Sequence, residues 1–189
     1  MISAILLAAG QSKRMSGENK LTKKIQNIPL IKYSVKNILS SSIDELIIVL
    51  GYQNEIIKKL IDNDKKIKLI INNNYEKGMA SSIKKGIDNL SLKTEAFFIC
   101  LGDMPMINKN IYNQMIKLRN KGEIIVPTYK GIQGNPVLFS KSIKNMIKTV
   151  EGDSGAKKII AMNKNKVSTY ETEDISVTKD YNTRDNFEN

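Results

Sequence analysis

The sequence predicts an α/β fold of three layers, a mostly parallel sheet with helices on both faces. Three observations carry the prediction. Short, predominantly apolar runs of strand length recur at residues 2–7, 46–50 and 96–101, as strands buried on both faces require. Between them lie amphipathic segments with apolar positions at helical spacing, so strand and helix alternate. Each of the three apolar runs is followed by a Gly-containing turn, at Gly10, Gly51 and Gly102.

Taken in order, the first strand runs into Ala8-Ala9-Gly10 and a polar loop whose cations are Lys13, Arg14 and Lys20. Pro29 opens a helix at 30–39, since its fixed φ suits a first helical turn, and Ser40-Ser-Ser-Ile-Asp44 breaks it. Strand 46–50, helix 55–61 and strand 67–71 follow. An Asn cluster and Gly78 end that strand. Ser81 and Ser82, with Ile83, Ile87 and Leu90 behind them, are expected to open a helix whose hydroxyls and free N–H groups face a ligand at its positive end.

Strand 96–101 ends in Gly102-Asp103, and Pro105 stiffens the turn. An Asp at the carboxyl end of a central strand sits where ligands bind in open α/β sheets. Helix 111–118 and strand 124–126 come next, then a polar, Gly-containing stretch at 129–133. Gly134-Asn135-Pro136 forms a turn into a short strand at 137–139, and Ser140 is expected to cap a helix reaching Val150. Residues 151–155 lead into a further helix with Ser154 as its cap. A last strand covers 167–170, and residues 174–181 lead to a polar tail expected to fray from about 182 to 189. With no internal repeat, linker or composition break, residues 1–189 read as one domain.

Composition narrows the chemistry. The chain has no His and a single Cys, which removes Ser–His catalysis, the usual zinc sites and a disulfide framework. Any reaction must run on carboxylates, cations, backbone dipoles or a hard metal. The net charge of +11 favours acidic ligands, but the Lys residues are spread along the chain without a basic stripe or interleaved aromatics, so nucleic acid is not an expected partner. No apolar run reaches membrane-spanning length and the N-terminus lacks the features of a signal peptide, so a cytoplasmic protein without a membrane partner is expected.

The opening loop has the character of an anion site. Gly10 at a strand end lets backbone N–H groups approach a ligand, Arg14 offers a fork matched to phosphate oxygens, and Lys20 a mobile point charge. Neither a P-loop nor a Gly-x-Gly-x-x-Gly pattern follows Gly10.

Taken together, the motifs resemble the nucleotidyltransferase family that includes the molybdenum cofactor cytidylyl- and guanylyltransferases. Leu7-Ala-Ala-Gly-Gln-Ser-Lys-Arg-Met15 with Asn19-Lys20-Leu is similar to its signature loop. Gly78-Met-Ala-Ser-Ser-Ile, Leu101-Gly-Asp-Met-Pro105, Gly134-Asn-Pro-Val-Leu-Phe and Gly152-Asp-Ser-Gly-Ala-Lys resemble the cytidylyltransferase branch in order and spacing. The resemblance implies a Rossmann-like fold of the nucleotide-diphospho-sugar transferase type. It implies base and ribose held on Leu7, Ala8, Ala9 and Gly10, with Ala9 tilting the choice toward CTP. It further implies a triphosphate gripped by Arg14 and Lys20, a nucleotide seated by Asn72 and the Gly78 to Ser82 turn, and Mg²⁺ on Asp103. Arg14, Lys20 and Asp103 become the candidate catalytic residues. The implied acceptor is molybdopterin carrying molybdenum, with a molybdenum hydroxylase as recipient of the product.

Two departures from the family pattern stand out. Ser16 replaces a Gly after Arg-Met, with Gly17 adjacent. Asp174-Ile-Ser-Val-Thr stands for a late Asp-Ile-Asp-Thr-Pro, which puts Ser176 where a second metal-directed carboxylate is usual. The same loop would also serve a cytidylyltransferase acting on a sugar, polyol or choline phosphate, or a non-catalytic protein that binds a nucleotide and delivers a cofactor.

Overall fold

The structure is a computed structural model that describes residues 1–12, 18–153 and 155–181. Lys13, Arg14, Ser16, Gly17, Ser154 and the 182–189 tail, to which the sequence assigned roles, lie outside the described residues. In chain order the regular elements are β1 (Ile2–Ala8), β2 (Lys24–Ile25), β3 (Ile28–Pro29), α1 (Leu30–Leu39), β4 (Glu45–Leu50), α2 (Asn54–Leu60), β5 (Ile67–Ile71) and α3 (Met79–Asp88). There follow β6 (Ala96–Leu101), α4 (Lys109–Lys117), β7 (Ile124–Tyr129), β8 (Ile132–Gln133), β9 (Val137–Ser140), α5 (Lys144–Ile147), α6 (Gly155–Met162) and β10 (Val167–Glu171).

The main sheet has the order β10-β7-β9-β6-β1-β4-β5, with β8 added to β7. Strands β6, β1, β4 and β5 pair in parallel, as do β10 and β7, while β9 runs antiparallel between β6 and β7. The expected three-layer, mostly parallel architecture is therefore present. The order places β1 inside the sheet, with β4 on one side and β6 on the other, so the chain reverses its direction of winding beside β1. A crevice opens outside the carboxyl ends of the strands at such a point.

Alternation along each strand divides the core in two. Ala4, Leu6 and Ala8 of β1, Leu46, Ile48 and Leu50 of β4, and Phe98 and Cys100 of β6 pack on one face under α1, α2 and α4. Ile5, Ile47, Val49, Phe97 and Ile99 point to the other, under α3, α5 and α6. Because both faces are covered, these strands read as continuous apolar runs rather than alternating ones. Gly86 lets α3 press onto β1: a Cβ there would lie 2.4 Å from Cγ2 of Ile5.

Three local expectations need adjustment. The polar stretch after Val126 continues the strand to Tyr129 and turns back as β8, because Lys130 and Gly131 both take positive φ, 49° and 74°, the tight-hairpin conformation. The helix expected from Ser140 to Val150 is two short pieces, a 3₁₀ turn at Lys141–Ile143 followed by α5, although Ser140 Oγ does accept the Ser142 N–H. Helix α3 begins at Met79, two residues before the Ser pair, since Gly78 with φ 95° already breaks the preceding chain.

Candidate nucleotide-binding site

A cavity of about 640 Å³ occupies the crevice at the carboxyl ends of β1 and β6. Its walls include Leu7, Ala8, Ala9, Gly10, Lys20, Gly78, Ser82 and Asp103, so segments separated by much of the chain meet where the sequence placed one site. The approach of strand ends is tight. Gly102 N–H donates to the Leu7 carbonyl at 3.1 Å, and Tyr52 N–H donates to the Ala9 carbonyl at 3.2 Å. A Cβ on Gly51 would lie 2.9 Å from that same carbonyl, so the turn after β4 braces the loop after β1.

Lys20 is delivered to this cavity by a short 3₁₀ turn, Lys20–Thr22. Buried Asn19 caps that turn by accepting the Leu21 N–H at 3.1 Å, and Ser12 Oγ accepts the Lys20 N–H at 3.1 Å. The Lys20 ammonium pairs with the Asp103 carboxylate; their side chains are only 19% and 14% exposed. Cation and carboxylate are thus held against each other in a partly desolvated setting, where their mutual field is screened less than on an open surface.

The start of α3 forms one side of the cavity, but not in the expected way. Asp153 Oδ1 accepts the Met79 N–H at 3.0 Å and the Gly152 carbonyl accepts the Ala80 N–H at 2.9 Å. Two donors of the helix's positive end are therefore occupied by the 151–155 loop. Gly78 permits this: a Cβ there would come within 2.7 Å of Asp153 Oδ1. Asn72 does not line the cavity. It is buried beneath, where its Nδ2 donates to Ser81 Oγ at 2.9 Å and to Ser82 Oγ at 3.0 Å, and its Oδ1 accepts the Asn74 N–H. Its place is that of a support for Ser82.

The late departure from the family pattern resolves differently from its sequence reading. Asp174 accepts from Asn108 Nδ2 at 2.8 Å and from the Ser176 N–H at 2.9 Å, which makes it a turn-forming residue. Ser176 is buried and lines no part of the cavity. Asp180 lines it instead, next to Tyr181, whose N–H donates to the Asp103 carbonyl at 2.8 Å. Asp180-Tyr-Asn-Thr183 agrees with Asp-Ile-Asp-Thr at its first and last residues, as Asp174-Ile-Ser-Val does at its first two, so the pattern alone did not choose between the two registers. Other cavity residues that the sequence reading gave no role are Tyr75, Glu76, Gln133, Asn135, Lys157 and Thr178.

Among the described residues no group of three or more His, Cys, Asp or Glu side chains comes together. Mg²⁺ on phosphates needs no such cage; it takes one or two carboxylates, with phosphate and water oxygens completing the shell. The oxygen donors of Asp103 and Asp180, facing one cavity, fit that requirement.

A mostly parallel sheet with a polar cavity at its switch point, bearing a Lys–Asp pair and a strand end that turns at Gly10, is the arrangement in which open α/β proteins place their ligands. Comparison with known proteins narrows this: the model of the MobA-like NTP transferase domain matches residues 4–169, and the chain belongs to that family of nucleotidyltransferases. Molybdenum cofactor cytidylyltransferase of Escherichia coli (strain K12) is 34% identical over 140 residues, covering 74% of this chain and 70% of the relative. Purine catabolism protein PucB of Bacillus subtilis (strain 168) is 26% identical over 163 residues, covering 82% and 78%. In fold the chain is similar to Rv0371c of Mycobacterium tuberculosis H37Rv, with a TM-score of 0.87, 22% identity, and 98% and 94% of the two chains covered. That protein has also been solved in complex with manganese, a structure that matches with a TM-score of 0.83, 19% identity, and 98% and 95% coverage. No described helix is long and apolar enough to cross a membrane.

Proposed function

We propose that the chain transfers CMP from CTP to the terminal phosphate of molybdopterin carrying molybdenum, releasing pyrophosphate and forming a cytosine dinucleotide cofactor. The observation that carries the reading is the Lys20–Asp103 pair on the cavity closed by Leu7 to Gly10. The Escherichia coli relative, a molybdenum cofactor cytidylyltransferase, supports the choice of substrates. A cytoplasmic enzyme that hands its product to a molybdenum hydroxylase would follow from the same reading.

The chemistry suits a chain without His. A phosphate monoester has a second pKa near ~6, so the acceptor is largely a dianion at neutral pH and needs no general base. What the protein must supply is position and charge. The backbone of Leu7, Ala8, Ala9 and Gly10 would hold base and ribose, and Ser82, fixed by Asn72, would complete the seat beside Gly78. Lys20, with Arg14 from the same loop, would neutralise the triphosphate and the departing pyrophosphate. Asp103 would hold Mg²⁺ with Asp180 beside it, and the bound cation would supply further neutralisation of phosphate charge. Asp103 also orients the Lys20 ammonium.

The test is pyrophosphate release from purified protein with Mg²⁺, CTP or GTP, and molybdenum-loaded molybdopterin. Sugar, polyol and choline phosphates serve as competing acceptors. Release with CTP and molybdopterin is expected; turnover with another phosphate and none with molybdopterin would overturn the acceptor, and the absence of any turnover would overturn the activity.

A further inference from the structure

The main sheet ends at β10 on one side and at β5 on the other, and among the described residues no strand pairs with the outer side of either. The two edges differ in chemistry. β10 reads Val167-Ser-Thr-Tyr-Glu171, with Thr169 and Glu171 exposed, a polar and charged edge of the kind that discourages further pairing. β5 reads Ile67-Lys-Leu-Ile-Ile71 and lacks the usual protections: it contains no Pro, its register with β4 runs without a bulge, and Ile71 is 42% exposed. The charge it does carry is turned aside, because the Lys68 ammonium donates to the Asn89 carbonyl at 3.1 Å, just past the end of α3.

The main chain of β5 shows which groups are left over. The Leu46 N–H donates to the Lys66 carbonyl and the Asn72 N–H to the Leu50 carbonyl, both at 2.8 Å. Every second residue of a parallel strand serves the same neighbour, so 66, 68, 70 and 72 face β4 while 67, 69 and 71 direct their main-chain groups away from it. The Ile67 N–H is already given to the Asp64 carbonyl at 2.9 Å. Leu69 and Ile71 are therefore the residues of β5 that present both N–H and C=O outward with no partner among the described residues.

A second copy of β5 satisfies those groups. Two copies running antiparallel about a twofold axis at Ile70 set Leu69 of each chain opposite Ile71 of the other, and each such pair exchanges both of its N–H···O bonds. Side chains on both faces then meet apolar partners: Ile70 meets its own copy on the face of α3, and Leu69 meets Ile71 on the face of α2. The cations at the start of β5 stay apart, since Lys68 comes opposite Asn72 and Lys66 opposite Asn74. The cationic end of each strand thus meets the uncharged Asn72-Asn-Asn74 end of the other, which counts in a chain of net charge +11. A parallel, in-register pairing would instead stack Lys66 and Lys68 on their own copies.

We propose that β5 is a self-association edge, through which two copies of this chain pair antiparallel about Ile70 and join their main sheets into one. Antiparallel pairing sends the two crevices to opposite ends of the joined sheet, so each stays open to its ligands, and the proposal stands independently of the reaction catalysed. A single short strand pair makes an interface at the small end for specific association, so a dissociation constant on the order of 10 μM is expected.

The experiment is sedimentation equilibrium of the whole chain over a range from about 1 to about 200 μM, together with amide hydrogen exchange at both ends of that range. Wild type is expected to pass from monomer to dimer, and the Leu69 and Ile71 amides to exchange more slowly as the dimer forms. Ile71→Pro removes an outward N–H without touching the ladder to β4, and Ile71→Lys brings like charges to the axis; each is expected to weaken dimerisation by at least ~10-fold. The second variant changes only an exposed side chain, so its monomer keeps the fold, as unchanged cooperative urea unfolding would show. Ile70→Cys should form an intermolecular disulfide under mild oxidation, since Cys100 is buried and the new thiol faces its own copy, whereas Lys68→Cys should not. A wild type that stays monomeric at the highest concentration would overturn the proposal. So would a dimer that neither Ile71 variant weakens, which would place the contact elsewhere. Slow exchange at Leu69 and Ile71 in the dilute monomer would overturn it too, by showing that another segment of the same chain covers the edge. A disulfide through Lys68→Cys in place of Ile70→Cys would overturn the register.

Discussion

Lys20 and Asp103, 83 residues apart in the chain, form an ion pair at the end of the crevice between β1 and β6. One comes from the loop after β1 and the other from the turn after β6, and neither side chain is more than one-fifth exposed. Under the proposed reaction both act on charge that grows as pyrophosphate leaves. Lys20→Ala and Asp103→Ala are each expected to lower kcat by at least ~100-fold, the scale of losing one electrostatic stabiliser. Pyrophosphate release under saturating nucleotide measures this, and near-normal rates in either variant would remove that residue from the mechanism.

Asp180 and Ser176 should separate cleanly. Asp180→Ala is expected to raise the Mg²⁺ concentration for half-maximal rate by at least ~10-fold, as loss of a group near a metal commonly does. Ser176→Ala should leave that concentration unchanged. Its hydroxyl is buried with no hydrogen-bond partner among the described residues, so its removal is expected to be neutral or to stabilise by up to ~1 kcal/mol in urea unfolding. A shifted Mg²⁺ dependence in the Ser176 variant would restore the register first read from the sequence.

Asp153 holds the start of α3 by accepting the Met79 N–H. Asp153→Ala is expected to cost about 1 kcal/mol of stability, the usual worth of a helix-capping side chain, whereas Asp153→Asn should retain most of it. Chemical denaturation of the three proteins decides the point; equal stability would show that the loop contributes nothing to the helix terminus.

Cys100 lies in the middle of the core beside the Tyr112 hydroxyl, and burial pushes its thiol from 9.0 up to about 12. Burial also raises the Tyr112 hydroxyl. Each group is neutral when folded and ionises more readily when unfolded, so the unfolded chain loses protons first. Stability should therefore be fully present below pH 9 and fall as pH rises from about 9 toward about 12, the thiol contributing at most ~1.4 kcal/mol per pH unit. Urea unfolding between pH 8 and 11 should show a shallower decline for Cys100→Ala. In native wild type the thiol should also resist disulfide reagents until the chain unfolds, because the thiolate is the reactive species.

Much of the fold was legible because its strands are buried on both faces. Runs such as Leu46-Ile-Ile-Val-Leu50 leave no solvent side to interpret, and the Gly after each run marks its end. The hairpin at Lys130-Gly131 was not legible, since a Lys in the left-handed region carries no sequence signal of its own. Nor was the early start of α3 at Met79, because the Ser pair has the right chemistry for a cap yet serves to receive the Asn72 amide. Asn72 is expected to help seat the nucleotide with the Gly78 to Ser82 turn, and what the sequence does not show is that it is buried and joined to that turn through the Ser81 and Ser82 hydroxyls.

By itself the sequence determined the alternation of strand and helix and the exclusion of imidazole chemistry, because those depend on residue type and local spacing; the grouping of Leu7 to Gly10, Lys20 and Asp103 came from the family resemblance, and the fold lines one cavity with them. The tertiary structure decided which late carboxylate reaches that site. Asp174 and Asp180 are chemically identical and six residues apart, and what separates them is the path of the backbone: one is spent on Asn108 and its own turn, while the hydrogen bond from Tyr181 to Asp103 brings the other to the cavity.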